Sequence, residues 1–447
     1  ILYSNRMNKL ITTFKHIFAI EELRGRIINT LLFIAFFRLG SFIVLPGVDA
    51  TKLSQGGDGG LFGLLNMFSG GALSNASVFA LGIMPYISAS IAIQLLTIAL
   101  PYFQKMQKDG ESGRKKLNQI TRILTIFVTA AQGFTYLQVT IPTEAIMVDP
   151  WFFRLYGVAI LVGGTMLCMW LGEKITDKGI GNGTSLIIMV GILARLPESL
   201  LYEFTSKNTG AGVGGMLVFL IEMAMFIAVI VGLILLTQGT RRIPLNYARK
   251  IVGGAKDVSS SRDFIPLKVN SSGVMPIIFA QAIMFIPATI LGFTNNESAQ
   301  GIIRALSDHT SLWYNVAYAI LVIGFTYFYT ALIFNPTEIA DNLKRNNSFV
   351  PGVKPGEDTA NYIATIMDRI TLPGAVFLAV AGILPGIASL LHVTSGFASF
   401  YGGTSMLIGV GVILDTLQQI ESHLLMRQYD GLMKTGRITG RQAATTV

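Results

Sequence analysis

Residues equipped for chemistry are few in this chain, and they lie far apart. The four histidines, His16, His309, His392 and His423, fall near the ends of apolar runs or between them and form no ligand cluster. There is no His-Glu-x-x-His helix and no cysteine pair, so the sequence offers no zinc site. Cys168 stands alone in an apolar run, where packing suits it better than reactivity. No Gly-x-x-x-x-Gly-Lys-Ser/Thr loop appears, which removes nucleotide hydrolysis by that route. A hydrolase would need a nucleophile beside a base, and no such pair can be picked out. The sequence reads as a protein with no catalytic residue, no cofactor and no metal.

Three ionisable side chains sit within long apolar runs: Arg38, Glu222 and Asp415. Such groups are candidates for function by default. A proton-coupled carrier needs a relay, and three isolated groups make a poor one. Arg38 is expected to snorkel or bind a neighbouring helix, and Glu222 and Asp415 to face protein or an interface. The main polar groups of the apolar runs are glutamines, Gln94, Gln132 and Gln281, a type that bridges helices more often than it binds substrate. Apolar runs without an energy-converting motif suit a passive conduit driven from outside.

The elements that position these residues follow from composition. The chain is 51% hydrophobic and only 13% charged, against about a quarter charged in soluble domains. Its solvent is lipid, and its length fits one bundle of helices. A span needs about 20 apolar residues. Ten runs qualify: 27–45, 76–100, 120–140, 154–172, 184–204, 213–236, 273–293, 313–334, 373–391 and 404–422. The fifth is interrupted by Arg195 and Pro197. The expected architecture is an all-α polytopic membrane protein, a single domain over 1–447, with halves at 27–212 and 213–422. Residues 1–26 carry basic residues and an amphipathic pattern without a central apolar run, so they read as a surface helix, not a cleavable signal.

Basic residues orient the bundle. Of the 34 Lys and Arg, 28 fall in the two tails and in the connections on the tails' side. The opposite connections hold only Lys52, Lys207 and Arg304. The positive-inside rule then places both termini, the loops 237–272 and 335–372 and the tail 423–447 in the cytoplasm.

Two further patterns bear on a pathway. From Gly59 to Gln104 there are 46 residues without a charge, roughly 69 Å as one helix, over twice a bilayer core. Its first part is rich in glycine and small polar residues, so a short half-helix near 61–73, a break and then a span is the natural division. Irregular backbone at membrane depth requires protein or a water-filled cavity around it. The second pattern is a repeat. Gly82-Ile83-Met84-Pro85-Tyr86-Ile87-Ser88-Ala89 matches Gly273-Val274-Met275-Pro276-Ile277-Ile278-Phe279-Ala280, and Gly183-Thr184-Ser185 matches Gly403-Thr404-Ser405. Spans two and five thus pair with seven and ten, which run the opposite way, and an inverted repeat of this kind places its pathway at the repeat interface. Two functions fit: a protein-conducting channel, or an inverted-repeat secondary transporter of small solutes. The half-entering segment and the long basic loops favour the channel.

Several stretches carry a family resemblance. They are Asn66-Met67-Phe68-Ser69-Gly70-Gly71-Ala72-Leu73, Ala80 through Ser90, Asp109-Gly110-Glu111-Ser112-Gly113-Arg114, Gly172-Glu173-Lys174-Ile175-Thr176 with Gly179-Ile180-Gly181-Asn182-Gly183, Phe334-Asn335-Pro336 and Tyr401-Gly402-Gly403-Thr404-Ser405. In order and spacing they resemble the SecY/translocon family from about residue 16 to 430. The resemblance implies a clamshell of two five-helix halves in the bacterial cytoplasmic membrane. It implies SecE and SecG as companion subunits, SecA or the ribosome as the driver, and signal peptides and unfolded preproteins as cargo. Membrane segments would leave sideways into lipid. No specific nucleic acid is expected beyond ribosomal contacts.

Residue by residue, the resemblance implies an apolar pore ring of Ile83, Ile87, Ile188, Ile192, Ile278 and Ile408. It makes Leu61, Phe62, Leu64, Leu65, Asn66, Met67, Phe68, Ser69, Gly70 and Gly71 a plug, and Gln94, Gln132 and Gln281 candidates at the lateral gate. Docking of the motor or ribosome is expected at Arg241, Arg242, Arg249, Lys250, Lys344, Arg345 and Lys354. Two departures stand out. The family's frequent Ile-Arg-Pro-Gly reads Val353-Lys354-Pro355-Gly356 here, keeping the charge but losing the planar fork. Pro244 stands where the family usually has a non-proline residue.

Overall fold

The computed structural model describes residues 20–49, 52, 69–210, 213–247, 263–291, 311–391 and 393–434. Each of the ten charge-poor runs holds a helix. In chain order the elements are α1 (Glu21–Gly40), α2 (Met84–Ala99), α3 (Pro101–Lys108), α4 (Gly110–Val139), α5 (Pro150–Lys178), α6 (Gly183–Gly210) and α7 (Val213–Gln238). Strands β1 (Thr240–Tyr247) and β2 (Asp263–Lys268) come next, then α8 (Met275–Leu291), α9 (Leu312–Ile333), α10 (Pro336–Arg345) and β3 (Ser348–Phe349). The chain continues through α11 (Glu357–Leu390), the short α12 (Ser395–Ala398) and α13 (Gly403–Lys434). Six described helices are long and apolar enough to cross a membrane by length and composition, or seven if α2 and α3, bent by 103°, count as one span.

The helices depart from the apolar runs in instructive ways. The second does not begin near residue 76: Ala76 and Gly82 take positive φ, 45° and 53°, and the backbone stays in turns until Met84. Four helices outrun the bilayer, with 30, 29, 34 and 32 residues in α4, α5, α11 and α13, against about 20 needed. The basic connections are therefore partly helical. Pro197 does not end α6, because it removes only one backbone donor from a 28-residue helix. Of the expected surface helix, residues 21–26 form the start of α1, and 1–19 lie outside the described residues.

The sequence reading contained no strand, yet a small sheet stands among the basic connections, ordered β2-β1-β3. Antiparallel β1 and β2 pair from Thr240↔Lys268 to Leu245↔Asp263, and β3 joins at Asn246↔Phe349. Alternation along β1 buries Ile243 and Leu245 with Leu267, Val350, Ile363 and Met367, while Arg242, Pro244 and Asn246 on the other face are exposed, as is Arg241 near the start of the strand. Pro244 lies opposite Phe264, before β3 begins, so β1 is an edge on that side there, the place a strand tolerates proline.

The chain divides into two compact units. One comprises Ile1–Gly57, Phe62–Arg195 and Val412–Val447, the other Asp58–Leu61 and Leu196–Gly411. In the first, α4 packs on α2 and α5, and α1 on α5. Its buried cluster joins Leu45, Leu73, Ala76, Leu81, Tyr136, Phe153 and Leu161. In the second, α9 packs along α11 and α8, and α10 seats on α11 beside the sheet.

Candidate functional site

The repeated motifs fold alike. Gly82 and Gly273 both have positive φ, 53° and 64°, a conformation that costs glycine nothing. The helices that follow begin at Met84 and Met275, each with proline in its first turn, where the missing donor has no helical partner anyway. Likewise α6 and α13 begin at the matched Gly183 and Gly403. Two stretches far apart in the chain thus set two apolar helices with the same local device.

These starts position the candidate ring residues. In the first unit Ile83 caps α2 and is buried, Ile87 is half-buried one turn on, and Ile188 and Ile192 are buried one turn apart on α6. In the second, Ile278 is half-buried at the start of α8 and Ile408 is buried near the start of α13. Gln94 on α2 and Gln281 on α8 are half-buried, and Gln132 on α4 is exposed.

Of the plug candidates, Leu61, Phe62, Leu64, Leu65, Asn66, Met67 and Phe68 lie outside the described residues. Ser69, Gly70 and Gly71 open a run of turns reaching Ile83. That run is pinned from several sides. Leu45 N–H donates to Ala76 O at 2.8 Å, Val78 N–H to Ile43 O at 2.9 Å, and Tyr136 OH to Leu73 O at 2.6 Å. Arg38, expected to snorkel or bind a helix, instead donates from Nη1 to Gly70 O at 3.2 Å. Irregular backbone has spare carbonyls, and a guanidinium in an apolar run supplies what they lack.

The basic candidates cluster at the sheet. Arg241, Arg242, Lys344, Arg345 and Lys354 are exposed, while Arg249 and Lys250 lie outside the described residues. Arg242 stands over the Phe264 ring, 4.6 Å from its centroid, which holds its charge outward on β1. Lys354 lies beside Val353, whose side chain packs on the core beneath the sheet. Its carbonyl accepts from Thr359 Oγ1 at 2.7 Å, fixing the loop that leads into α11.

One charged site escaped the sequence reading. Lys207 Nζ lies 3.1 Å from Glu222 Oε1 and 3.6 Å from Glu203 Oε1. Glu203 is fully buried, and its Oε2 accepts from Thr394 N–H at 3.0 Å and from Thr394 Oγ1. Tyr401 OH donates to Glu222 O at 2.8 Å, within an aromatic group of Phe226, Phe397 and Tyr401. The i,i+4 spacing of Glu203 and Lys207 was a visible signal. By contrast Asp415 is exposed. No group of three metal-ligating side chains occurs among the described residues.

Long apolar helices, two spans opened by the same proline device and a basic sheet-bearing connection define a polytopic membrane protein of two related halves. The family model described as SecY matches residues 77–417. The protein translocase subunit SecY of Chlamydia trachomatis serovar D is 41% identical over 96% of this chain and 99% of its own length. That of Aquifex aeolicus is 40% identical over 94% and 99%. The chain belongs to the SecY family. Among solved structures, one described as a protein conducting channel superposes with a TM-score of 0.61 at 15% identity, over 89% of this chain and 92% of that one. Sec61 in the canine ribosome-channel complex from the endoplasmic reticulum gives 0.58 at 14%, over 89% and 92%. At such identities the likeness speaks for the fold.

Proposed function

We infer that this chain is the central subunit of a protein-conducting channel, passing unfolded secretory proteins across a membrane and releasing membrane segments sideways into lipid. The observation that carries the reading is a match to translocase subunits over nearly the whole length of both chains. The small-solute transporter reading loses ground to it. In this function the halves 27–212 and 213–422 flank the pathway within the bacterial cytoplasmic membrane, and both termini face the cytoplasm, as the basic residues argue. SecE and SecG accompany the chain, and SecA or the ribosome docks on Arg241, Arg242, Arg249, Lys250, Lys344, Arg345 and Lys354. Residues near 61–73 plug the outer funnel, and Gln94, Gln132 and Gln281 line the lateral gate. Unlike an enzyme, such a subunit makes and breaks no bond.

Ile83, Ile87, Ile188, Ile192, Ile278 and Ile408 form the constriction in this reading. A narrow collar of branched aliphatic side chains excludes ions by dewetting, and it yields to a passing side chain because it makes no hydrogen bonds. Replacing Ile87, Ile188, Ile278 and Ile408 with serine is expected to raise ion leak through reconstituted channels while export continues. A tight channel combined with poor accumulation would instead mark these residues as packing. The plug is tested by a cysteine at Phe68. A bulky external thiol reagent should label it slowly in the idle channel and faster during translocation, and equal rates would remove the plug.

A further inference from the structure

The middle of α13 is exposed on two opposite sides, and the two differ in kind. On one side Ile413 and Leu417 are 44% and 49% exposed, with Ile420 and Leu424 half-buried beside them. At about 100° per residue, the opposite side carries Asp415, Gln418, Gln419 and Ser422, all of them exposed. The apolar side suits lipid. The polar side does not, because an ionisable group at membrane depth turns to protein or to water. Two contacts fix the rotation of α13 that produces this split. Gly181 N–H donates to Gln419 Oε1 at 2.8 Å. A Cβ at Gly181, whose φ is 83°, would stand 3.1 Å from Thr416 Oγ1. Gly181 lies in the connection 179–182, on the side where the basic residues argue for the cytoplasm. Asp415, Thr416, Gln419 and Gly181 all belong to the first compact unit. Along the helix Asp415 follows the buried Ile408 by seven residues, about two turns and about 10 Å, and within about 20° of the same direction. Glu421 is exposed too, but it lies off this strip by about a third of a turn.

We propose that Asp415 is a subsite for the entering chain, where its carboxylate pairs with a lysine or arginine at the start of a signal segment. This rests on the channel reading above, with Ile408 in the constriction, and adds a residue that discriminates among cargoes. A signal segment has a basic start followed by an apolar run of about 7–15 residues. The connections on the tails' side are themselves basic and repel that start. Asp415 is the one charge on its strip of α13 between residues 408 and 422, and its sign is the complementary one. Pairing there holds the basic start on the cytoplasmic side while the apolar run behind it reaches Ile408. The pair is solvated, so it acts on rate by a few-fold and lets go as the chain advances.

The test compares precursors on the channel assembled with its companion subunits in vesicles and driven by SecA. One precursor begins with a pair of lysines, the other with a pair of glutamines. Asp415→Asn is expected to lower the basic-to-neutral ratio of export rates about threefold, the scale of an exposed ion pair, and the drop should shrink at high salt. Asp415→Lys should lower the ratio further and favour a precursor that begins with aspartates, and Asp415→Glu should restore the parent's ratio. If Asp415→Lys does not accumulate, Asp415→Asn and Asp415→Glu carry the test. The native Cys168 is fully buried, so a cysteine at Gln418 reports alone. A charged thiol reagent on the cytoplasmic side should label it in the idle channel, and more slowly once a basic precursor is stalled there. No labelling in the idle channel would mean that lipid or a companion subunit covers the strip, which overturns the proposal. A ratio unmoved by Asp415→Asn, with both precursors still crossing, overturns the subsite and leaves the channel. A parent that exports neither precursor removes the channel reading and the subsite together.

Discussion

The two ends of α7 use charge in opposite ways. Near its start, Glu222 meets Lys207 and, through it, the fully buried Glu203. Just past its end, Arg241 and Arg242 stand exposed on β1 above an apolar core of Ile243, Leu245 and Met367. At the first end each charge is committed to a neighbour in the same chain. At the second the side chains are aimed away from it. A basic residue in a membrane protein is thus read by its surroundings: enclosed, it belongs to the fold, and displayed, it is available to a partner.

The sharpest way to break this contrast is at the enclosed end. Lys207→Met leaves two carboxylates facing each other without a cation, and is expected to cost about 3–5 kcal/mol of stability. Thermal unfolding in detergent would show it. Adding Glu222→Gln should recover much of the loss, whereas a Lys207→Met protein as stable as the parent would mean the carboxylates need no partner. At the displayed end, reversing Arg242 and Lys354 to glutamate should weaken SecA or ribosome docking about tenfold at low salt, and less at high salt where the parent is screened too. Stability should change by no more than about 1 kcal/mol, the worth of an exposed stacked cation. Unaltered docking would leave these residues a topological role alone. The smallest effect belongs to Arg122 and Glu173, where Arg122 Nη2 donates to both carboxylate oxygens at 2.7 and 2.8 Å and the side chains are both over a third exposed. Arg122→Gln should cost about 1 kcal/mol or less despite its better geometry. A loss rivalling that of Lys207→Met would show that geometry, not enclosure, decides.

Much of this architecture was legible because lipid imposes a simple rule, long runs without charge, and all ten runs contain a helix. Where those helices end was not, since α4, α5, α11 and α13 continue past the apolar runs on polar residues that say nothing about a boundary. The matched Gly-x-Met-Pro openings could be read because proline and positive-φ glycine are specific local devices. The sheet could not: only Ile243 and Leu245 alternate inward on β1, and two positions are too few to declare a period. Arg38 was marked as out of place, but its acceptor is a backbone carbonyl, which carries no side-chain signature. The candidate ring rests on the family resemblance; laying one half of the sequence over the other pairs only Ile87 with Ile278 and Ile188 with Ile408.

The length of α11 has a mechanical meaning. It runs unbroken for 34 residues, about 51 Å. Ile363 and Met367, in its first third, are clamped in the core beneath the sheet, while its far end leads directly to Thr394, the residue that grips Glu203. One helix thus joins the core beneath the sheet to the Glu203 site within the same unit. Pro373 and Pro385 interrupt that helix's internal bracing at two points. Those are its compliant sections, where a push delivered at the surface would be converted into bend rather than thrust.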